Sequence, residues 1–158
     1  MALTKRTPCV GICSTTYGDL VCRGCKRFAH EIVQWNGYDT TQQATVWQRL
    51  HGLRDEVVTT HLVIEDDERF IDACRMWLPE PVFDGLASAE PAAQSNSPHA
   101  IYELMRHLVA ANKPLRQGGL KANLAAAEVS ALEVLQAIDA EMYARSLAHY
   151  ERNYKIPV

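Results

Sequence analysis

The stretch PCVGICSTTYGDLVCRGCKR, residues 8–27, holds four of the five cysteines of the chain. These four are Cys9, Cys13, Cys22 and Cys25. Their pattern, C-x3-C-x8-C-x2-C, forms two close pairs, and thiolates at such spacings can converge on one tetrahedral metal centre. The polar residues between the pairs are typical of a short turn that brings the pairs together. The sequence therefore predicts a four-cysteine metal-binding head over residues 1–35, with these four cysteines as the ligands.

The cellular compartment decides between a metal site and a disulfide framework. No apolar run follows the basic residues Lys5 and Arg6, so no signal peptide is visible and we expect a cytoplasmic protein. Thiols stay reduced in the cytosol, which favours metal binding over disulfides. Four thiolates suit zinc and an iron–sulfur cluster equally well, so the ligand type leaves both metals open. Cys74 lies among apolar residues of a predicted helix and is expected to be inert.

Composition excludes several classes of protein. The chain has 158 residues, of which 47% are apolar and 22% are charged, as in ordinary globular proteins. Its apolar runs fall well short of the ~20 residues that cross a bilayer. A collagen-like chain and a wholly disordered chain are therefore excluded, and we expect no membrane partner.

Charge is distributed unevenly along the chain. Residues 1–54 carry a net charge of +4, and residues 55–90 carry a net charge of −8. A basic segment can indicate nucleic-acid binding, but Arg23, Lys26 and Arg27 lie close enough to the cysteines to offset the charge of bound thiolates. We therefore expect at most weak, salt-sensitive association with RNA or DNA, and a protein as the physiological partner. The alternative is a zinc-stapled module that binds nucleic acid or protein.

The cysteine segment also carries the pattern of a known family. Over Thr7 to Leu53 the marks of this pattern are Pro8-Cys9, Cys13, Cys22-x-Gly24-Cys25-x-Arg27 and Glu31-Ile32-x-x-Trp35. With these marks the segment resembles the YdhL-like family of small bacterial proteins (domain of unknown function 1289), which are commonly described as predicted Fe–S proteins. Phe28 and Gln42-Gln43 depart from the usual family residues but leave the cysteines untouched. The resemblance implies an Fe–S cluster, of the [4Fe–4S] type, on the four cysteines, with Zn²⁺ as the alternative.

The spacing of apolar residues predicts a mainly α fold. Phe28, Ile32 and Trp35 recur at helical spacing and predict one buried helical face, which ends at Asn36-Gly37. The run 57–64 is rich in β-branched residues and suits a strand as well as a helix.

Capping residues mark two further helices. Asp39 precedes one of them, with Gln42 in the capping-box position three residues later. Asp66 or Asp67 begins the other.

The order of these elements predicts how the chain is organised. After the head come three segments, which are a helical region packed on it (36–78), a Pro-rich linker (79–98) and a C-terminal helical hairpin (99–158). The hairpin pairs a helix that starts at Pro98 with a last helix from about Leu120 to Tyr154.

Two other stretches have simpler explanations than ligand binding. The loop 117–121, QGGLK, precedes a predicted helix but lacks the P-loop spacing for phosphate. The acidic run 65–68 is typical of the negative charge that favours a helix N-terminus. No nucleophile and base occur at a recognisable local spacing, so nothing in the sequence indicates an enzyme. We expect a cytoplasmic metal-cluster protein with a redox, sensing or partner-docking role.

Overall fold

The computed structural model describes residues 7–78, 98–123 and 129–154. Helices hold 69% of these residues, so the mainly α prediction is confirmed. The α-helices within these ranges are α1 (Ala29–Gln34), α2 (Thr40–His61), α3 (Asp67–Trp77), α4 (Pro98–Ala110) and α5 (Ala131–Asn153). Two short strands, β1 (Leu62–Ile64) and β2 (Leu120–Ala122), form an antiparallel pair. Across the described ranges, no helix combines the length and the apolar character that crossing a membrane requires.

The chain divides into two compact units. The head unit comprises Met1–Leu53 together with Ala140–Val158, and the central unit comprises Arg54–Asp139. The four clustered cysteines and α1 therefore share a unit with the C-terminal part of α5.

The core of the head unit forms where α1 meets the first half of α2. Trp35, Val46 and Leu50 are buried together, with Tyr38 and Trp47 packed against them. Apart from Tyr38, these residues belong to the apolar pattern that the sequence predicts for the two helices. The core therefore follows from helical periodicity.

Helix α2 begins with the capping box that the sequence predicts. The N–H of Gln42 donates to Asp39 Oδ1 at 2.8 Å, and the N–H of Asp39 donates to Gln42 Oε1 at 2.9 Å. The ambiguous run 57–64 contains both structures, because the helix continues to His61 and β1 follows directly.

The turn that precedes β2 is hydrogen-bonded to the start of α3 in the central unit. Asp66 caps α3 by accepting the N–H of Arg69 at 3.0 Å, as its capping position predicts. The carbonyl oxygen of Gly119 accepts the N–H groups of Glu65 at 2.8 Å and Asp66 at 3.2 Å. Gly118 packs against Leu104 and Leu108 of α4. The QGGLK loop therefore has a structural role, because it contacts both α3 and α4.

The predicted start of the last helix is wrong. Leu120 begins strand β2, which pairs with β1, and α5 starts at Ala131 instead. Leu120 is 1% exposed, so its strand register buries an apolar side chain while β1 satisfies its backbone. The true start is a capping box, in which Ser130 Oγ accepts the N–H of Glu133 and the Glu133 carboxylate accepts the N–H of Ser130. The two C-terminal helices are therefore joined by a turn and a strand rather than by a plain short loop.

The predicted Pro-rich linker lies almost wholly outside the described residues. Of its range, 79–98, only Pro98 is described, and α4 begins there as predicted.

Candidate metal centre

The second cysteine pair lies in a tight backbone hairpin. Val21 and Phe28 form an antiparallel bridge, and inside it the N–H of Cys22 donates to the carbonyl oxygen of Arg27 at 2.9 Å. The N–H of Lys26 donates back to the carbonyl oxygen of Cys22, also at 2.9 Å. Lys26 adopts a φ of +65°, a left-handed conformation that closes the turn. The sequence C-x2-C is thereby folded into a compact loop, which we call the cysteine hairpin (residues 21–28).

Hydrogen-bond donors converge on the sulfur of Cys22. Burial acts to raise the pKa of this thiol, but backbone N–H groups of Cys25, Ser14 and Gly24, together with the Cys25 side chain, outweigh it and lower the pKa to about 7. At Cys25 the balance is reversed, because burial raises the pKa of the thiol while Arg27 opposes the rise. The hairpin thus favours a thiolate at Cys22.

The first cysteine pair lies on the segment that runs alongside this hairpin. Cys9 Sγ accepts the N–H of Gly11 at 3.4 Å, and Gly11 has a φ of +107°. Cys13 Sγ lies 2.8 Å from the hydroxyl oxygen of Thr15. Both sulfurs are partly exposed.

Contacts join the two segments at three places. Cys22 Sγ lies 3.8 Å from the carbonyl oxygen of Ile12, and the N–H of Arg23 donates to Ser14 Oγ at 2.8 Å. A Cβ on Gly24 would lie 2.5 Å from Val10 Cγ2 and 3.1 Å from the carbonyl oxygen of Ile12, so the two segments approach closely here. The two cysteine-bearing segments are therefore neighbours.

The structure brings the predicted ligands together only in part. Cys22 and Cys25 interact directly through their side chains. Within the described ranges, however, no three or more Cys, His, Asp or Glu side chains are arranged as a metal-binding group. The predicted four-ligand set of Cys9, Cys13, Cys22 and Cys25 is therefore represented by one interacting pair and two sulfurs on the adjacent segment.

Two cations are buried in the cysteine hairpin, which the sequence analysis did not anticipate. Lys26 is 2% exposed and Arg27 is 4% exposed. Lys26 Nζ donates to the carbonyl oxygens of Arg23 and Gly24, at 2.5 and 3.0 Å. Arg27 Nε donates to Cys25 Sγ at 3.3 Å. Both cations therefore strengthen the positive potential around the cysteine pair.

A buried ion pair fixes the hairpin to the helices that follow. Arg49 contacts both carboxylate oxygens of Glu31 at 2.6 Å, and its guanidinium lies 4.1 Å from the centre of the Phe28 ring. Glu31 Oε1 also accepts a hydrogen bond from the N–H of Phe28, at 2.8 Å. Glu31 stands three residues after Phe28, but Phe28 has no side-chain acceptor, so the sequence lacks the capping-box signature that would have identified this role.

The C-terminal part of α5 contributes aromatic residues to the head unit. The Phe28 ring stacks on His149 at a centroid distance of 5.6 Å and also contacts Tyr150 and Tyr154. Arg23 lies over the ring of Tyr143 at 4.6 Å. No local sequence pattern joins residues so far apart, so sequence reasoning missed this contribution.

Other candidate features take structural roles. Cys74 is 1% exposed, and burial raises the pKa of its thiol to about 12, which agrees with the inert role expected for it. His30 packs against Phe28 and Tyr154.

An open groove of about 660 Å³ lies beside α3 in the central unit. Its lining includes carboxylates at Asp66 and Asp72 and guanidinium groups at Arg69 and Arg116. Because both signs of charge line this groove, it favours neither an anion nor a cation.

Comparisons with known proteins give one match. Neither the curated proteins nor the solved structures contain a match to this chain. The resemblance to the domain of unknown function is confirmed over the cysteine-bearing segment. Residues 7–54, which contain the four clustered cysteines and α1, match the family model described as "Protein of unknown function (DUF1289)".

Proposed function

We propose that the head unit binds one metal centre through Cys9, Cys13, Cys22 and Cys25. The proposed centre is an Fe–S cluster of the [4Fe–4S] type, with Zn²⁺ as the second candidate. A cluster would supply one-electron chemistry, and zinc would supply structural stability. The first candidate gives the protein a redox, sensing or partner-docking role in the cytoplasm.

The observation that carries this proposal is the set of donors aimed at the sulfurs of the cysteine hairpin. Backbone N–H groups hold the pKa of the Cys22 thiol at about 7, against the influence of burial. Arg27 donates to the sulfur of Cys25. Thiolate, not thiol, is the form that binds a metal, and N–H donors around a ligand sulfur are typical of such centres.

Burial of a cation supports the same conclusion. Arg27 lies almost entirely out of water, where an uncompensated charge is strongly unfavourable. A centre held by four thiolates carries net negative charge and would balance it. Cys9 and Cys13 can reach the second pair of cysteines without a large movement of the backbone, because their segment already contacts the hairpin at Gly24 and Cys22.

The test is the metal content of protein purified with and without oxygen. A brown, oxygen-sensitive sample that contains iron and sulfide supports the cluster, whereas a colourless sample with stoichiometric zinc supports the second candidate. Replacing any one of the four cysteines by serine should remove most of the metal. Cys74→Ser is the matched control and should leave the content unchanged, because its buried thiol lies outside the head unit. Equal metal loss in Cys74→Ser and Cys9→Ser would overturn the assignment.

The proposed partner of the head is a protein. Four apolar side chains of the cysteine-bearing segment are exposed, namely Val10, Ile12, Tyr17 and Leu20, at 60, 76, 87 and 47%. Two cations of the cysteine hairpin, Lys26 and Arg27, are buried. Exposed apolar side chains favour contact with a protein surface. Buried cations cannot contact the phosphates of a nucleic acid.

A gel-shift titration at near-physiological salt separates these partners. We expect weak binding of RNA or DNA that disappears as salt rises. Tight binding that Arg23→Ala abolishes while the metal stays in place would favour the zinc-stapled nucleic-acid module instead.

A further inference from the structure

Arg27 is a buried cation whose guanidinium faces a cysteine sulfur. Its Nε lies 3.3 Å from Cys25 Sγ, and its guanidinium carbon lies 4.9 Å from the centre of the Trp35 ring. In the part of the chain that the structure describes, no carboxylate lies within ion-pair distance of this guanidinium. Among the described residues, the Trp35 ring and the Cys25 sulfur are therefore the groups that can compensate the charge of Arg27.

The guanidinium of Arg27 favours negative charge on the Cys25 sulfur, against the opposing effect of burial. A buried guanidinium requires compensation for the water it has lost. The face of the Trp35 ring provides part of it through a cation–π contact. A neutral thiol at Cys25 would add little, because it is a weak hydrogen-bond acceptor. A metal-bound thiolate would be a full counter-charge at hydrogen-bond distance.

We propose that Arg27 is the positioning residue of the metal centre, which fixes the Cys25 sulfur and withdraws negative charge from it through the Nε–H···S hydrogen bond. This inference rests on the proposed metal centre. Its neighbour Lys26 has a different role, because Lys26 Nζ donates to the carbonyl oxygens of Arg23 and Gly24 and so holds the turn itself.

Trp35 explains why the position requires arginine. The planar guanidinium can lie over the indole ring and still direct one N–H at the sulfur, whereas an ammonium group has no such planar face. Lysine at this position would retain the charge but lose the fixed direction of the donor. Arg27→Lys and Arg27→Gln therefore separate the contribution of charge from that of geometry.

Arg23 offers a matched control within the same hairpin. Its side chain is 65% exposed, and its guanidinium pairs with Asp19 at 3.2 Å and lies over the Tyr143 ring. Arg23→Gln thus removes the same charge from the cysteine hairpin without removing the sulfur-directed donor.

The experiment titrates metal-free full-length protein with Co²⁺ alone and then displaces the Co²⁺ with Zn²⁺. Thiolate-to-cobalt absorption reports binding, and its wavelength reports electron density on sulfur. We expect Arg27→Gln to lower the Zn²⁺ affinity by about 10–100-fold, the usual effect of removing an outer partner of a ligand. The absorption should also move to longer wavelength, because a sulfur without its N–H donor gives up electron density more easily. Arg27→Lys should fall between wild type and Arg27→Gln, and Arg23→Gln should match wild type.

The outcomes separate this inference from the proposed function. If wild type shows no thiolate-to-cobalt absorption, the role of Arg27 is refuted at a site that holds one metal ion, and the metal content of protein purified without oxygen decides the proposed function separately. If wild type binds but Arg27→Gln has the same affinity and wavelength, only the role of Arg27 is refuted. A wavelength shift shared equally by Arg23→Gln also refutes it, since net charge alone would then be the cause. Circular dichroism checks the helix content of each variant. Should Arg27→Gln unfold, the affinity and wavelength of Arg27→Lys decide the question.

Discussion

Gly119 lies where backbone conformation and packing both exclude a side chain. Its φ is +65°, and a Cβ would lie 2.3 Å from the carbonyl oxygen of Asp66. Gly119→Ala should therefore lower the free energy of unfolding by about 2 kcal/mol or more, since strain and displacement of α3 act together. Chemical denaturation measures the change.

Gly52 is the matched control for this substitution. It lies on the exposed surface of α2, with nothing within 4 Å of its added Cβ. Gly52→Ala should stabilise the protein by about 0.5–1 kcal/mol, because alanine loses less backbone entropy in a helix. Equal effects of the two substitutions would contradict the role of the Gly119 turn.

The thiol of Cys22 gives the metal-free protein a specific pH dependence. Folding lowers its pKa from 9.0 to about 7, so the folded state favours the thiolate. The free energy of unfolding should therefore gain a contribution as pH rises from 7 to 9, and should lose it as pH falls through 7. Urea denaturation under reducing conditions at pH 6.5, 7.5 and 8.5 measures this slope.

Two substitutions identify the source of that slope. Cys22→Ser should flatten it between pH 7 and 9. Cys74→Ser should not flatten it, because burial raises the pKa of Cys74 to about 12, so that this thiol loses its proton near pH 9 only in the unfolded state and opposes the gain from Cys22. An unaltered slope in Cys22→Ser would show that the donors around Cys22 do not stabilise its thiolate.

At the scale of elements, the Glu31–Arg49 pair joins α1 to α2. The Glu31 carboxylate is nearly buried, at 6% side-chain exposure, and both oxygens contact Arg49. Arg49→Met should cost about 3 kcal/mol, because it leaves that carboxylate without its counter-charge. In a double-mutant cycle with Glu31→Gln, the coupling energy should reach about 1–3 kcal/mol.

A more exposed pair in the same unit provides the comparison. Glu141 and Arg145 of α5 approach to the same 2.6 Å, but their side chains are 29 and 40% exposed. Their coupling energy should stay within about 0.5 kcal/mol, as for other exposed pairs one helical turn apart. Equal coupling energies in the two cycles would show that burial does not set the strength of the Glu31–Arg49 pair.

Local signals account for the elements that the sequence predicted. Helices α2 and α3 carry side-chain caps at Asp39 and Asp66, and each cap acts over three residues. The pairing of β1 with β2 was missed, because each strand has only three residues and its partner lies almost 60 residues away. The capping box at Ser130 was a usable signal for the start of α5, but it was overlooked.

At the candidate centre, the contact between Cys22 and Cys25 was predictable from the sequence, and the surroundings of this pair were not. Cysteine spacing identifies Cys22 and Cys25 as a pair, and the structure shows their interaction. The burial of Lys26 and Arg27 was not predictable, because lysine and arginine are usually exposed and only the folded hairpin removes these two from water. The packing of Phe28 against the C-terminal part of α5 is a tertiary contact, which no local sequence pattern encodes.

At the scale of the whole molecule, the C-terminal part of α5 should stabilise the cysteine hairpin. His149 and Tyr150 both contact the ring of Phe28. The double variant His149→Ala/Tyr150→Ala should speed amide hydrogen exchange in residues 21–35 by tenfold or more, since each aromatic contact contributes about 0.5–1.5 kcal/mol beyond its buried area. Exchange in residues 98–110, which belong to the central unit, should change little.

Neighbouring exposed positions test whether this effect is specific. Glu151 and Arg152 follow directly in α5 and are exposed. Glu151→Ala/Arg152→Ala should leave exchange in residues 21–35 as in wild type. If both double variants accelerate exchange equally, the cause is the stability of α5 and not the contact with Phe28.

Assembly of the head unit from two distant parts of the chain has a consequence for biosynthesis. Phe28 leaves the ribosome about 120 residues before His149, which packs on it in the folded protein. At about 5–20 residues per second, this delay lasts roughly 6–24 s. During that interval the nascent chain presents its clustered thiols without the aromatic residues that complete their unit. Completion of the head therefore waits until the C-terminal part of α5 emerges, and the clustered thiols lack these aromatic contacts until then.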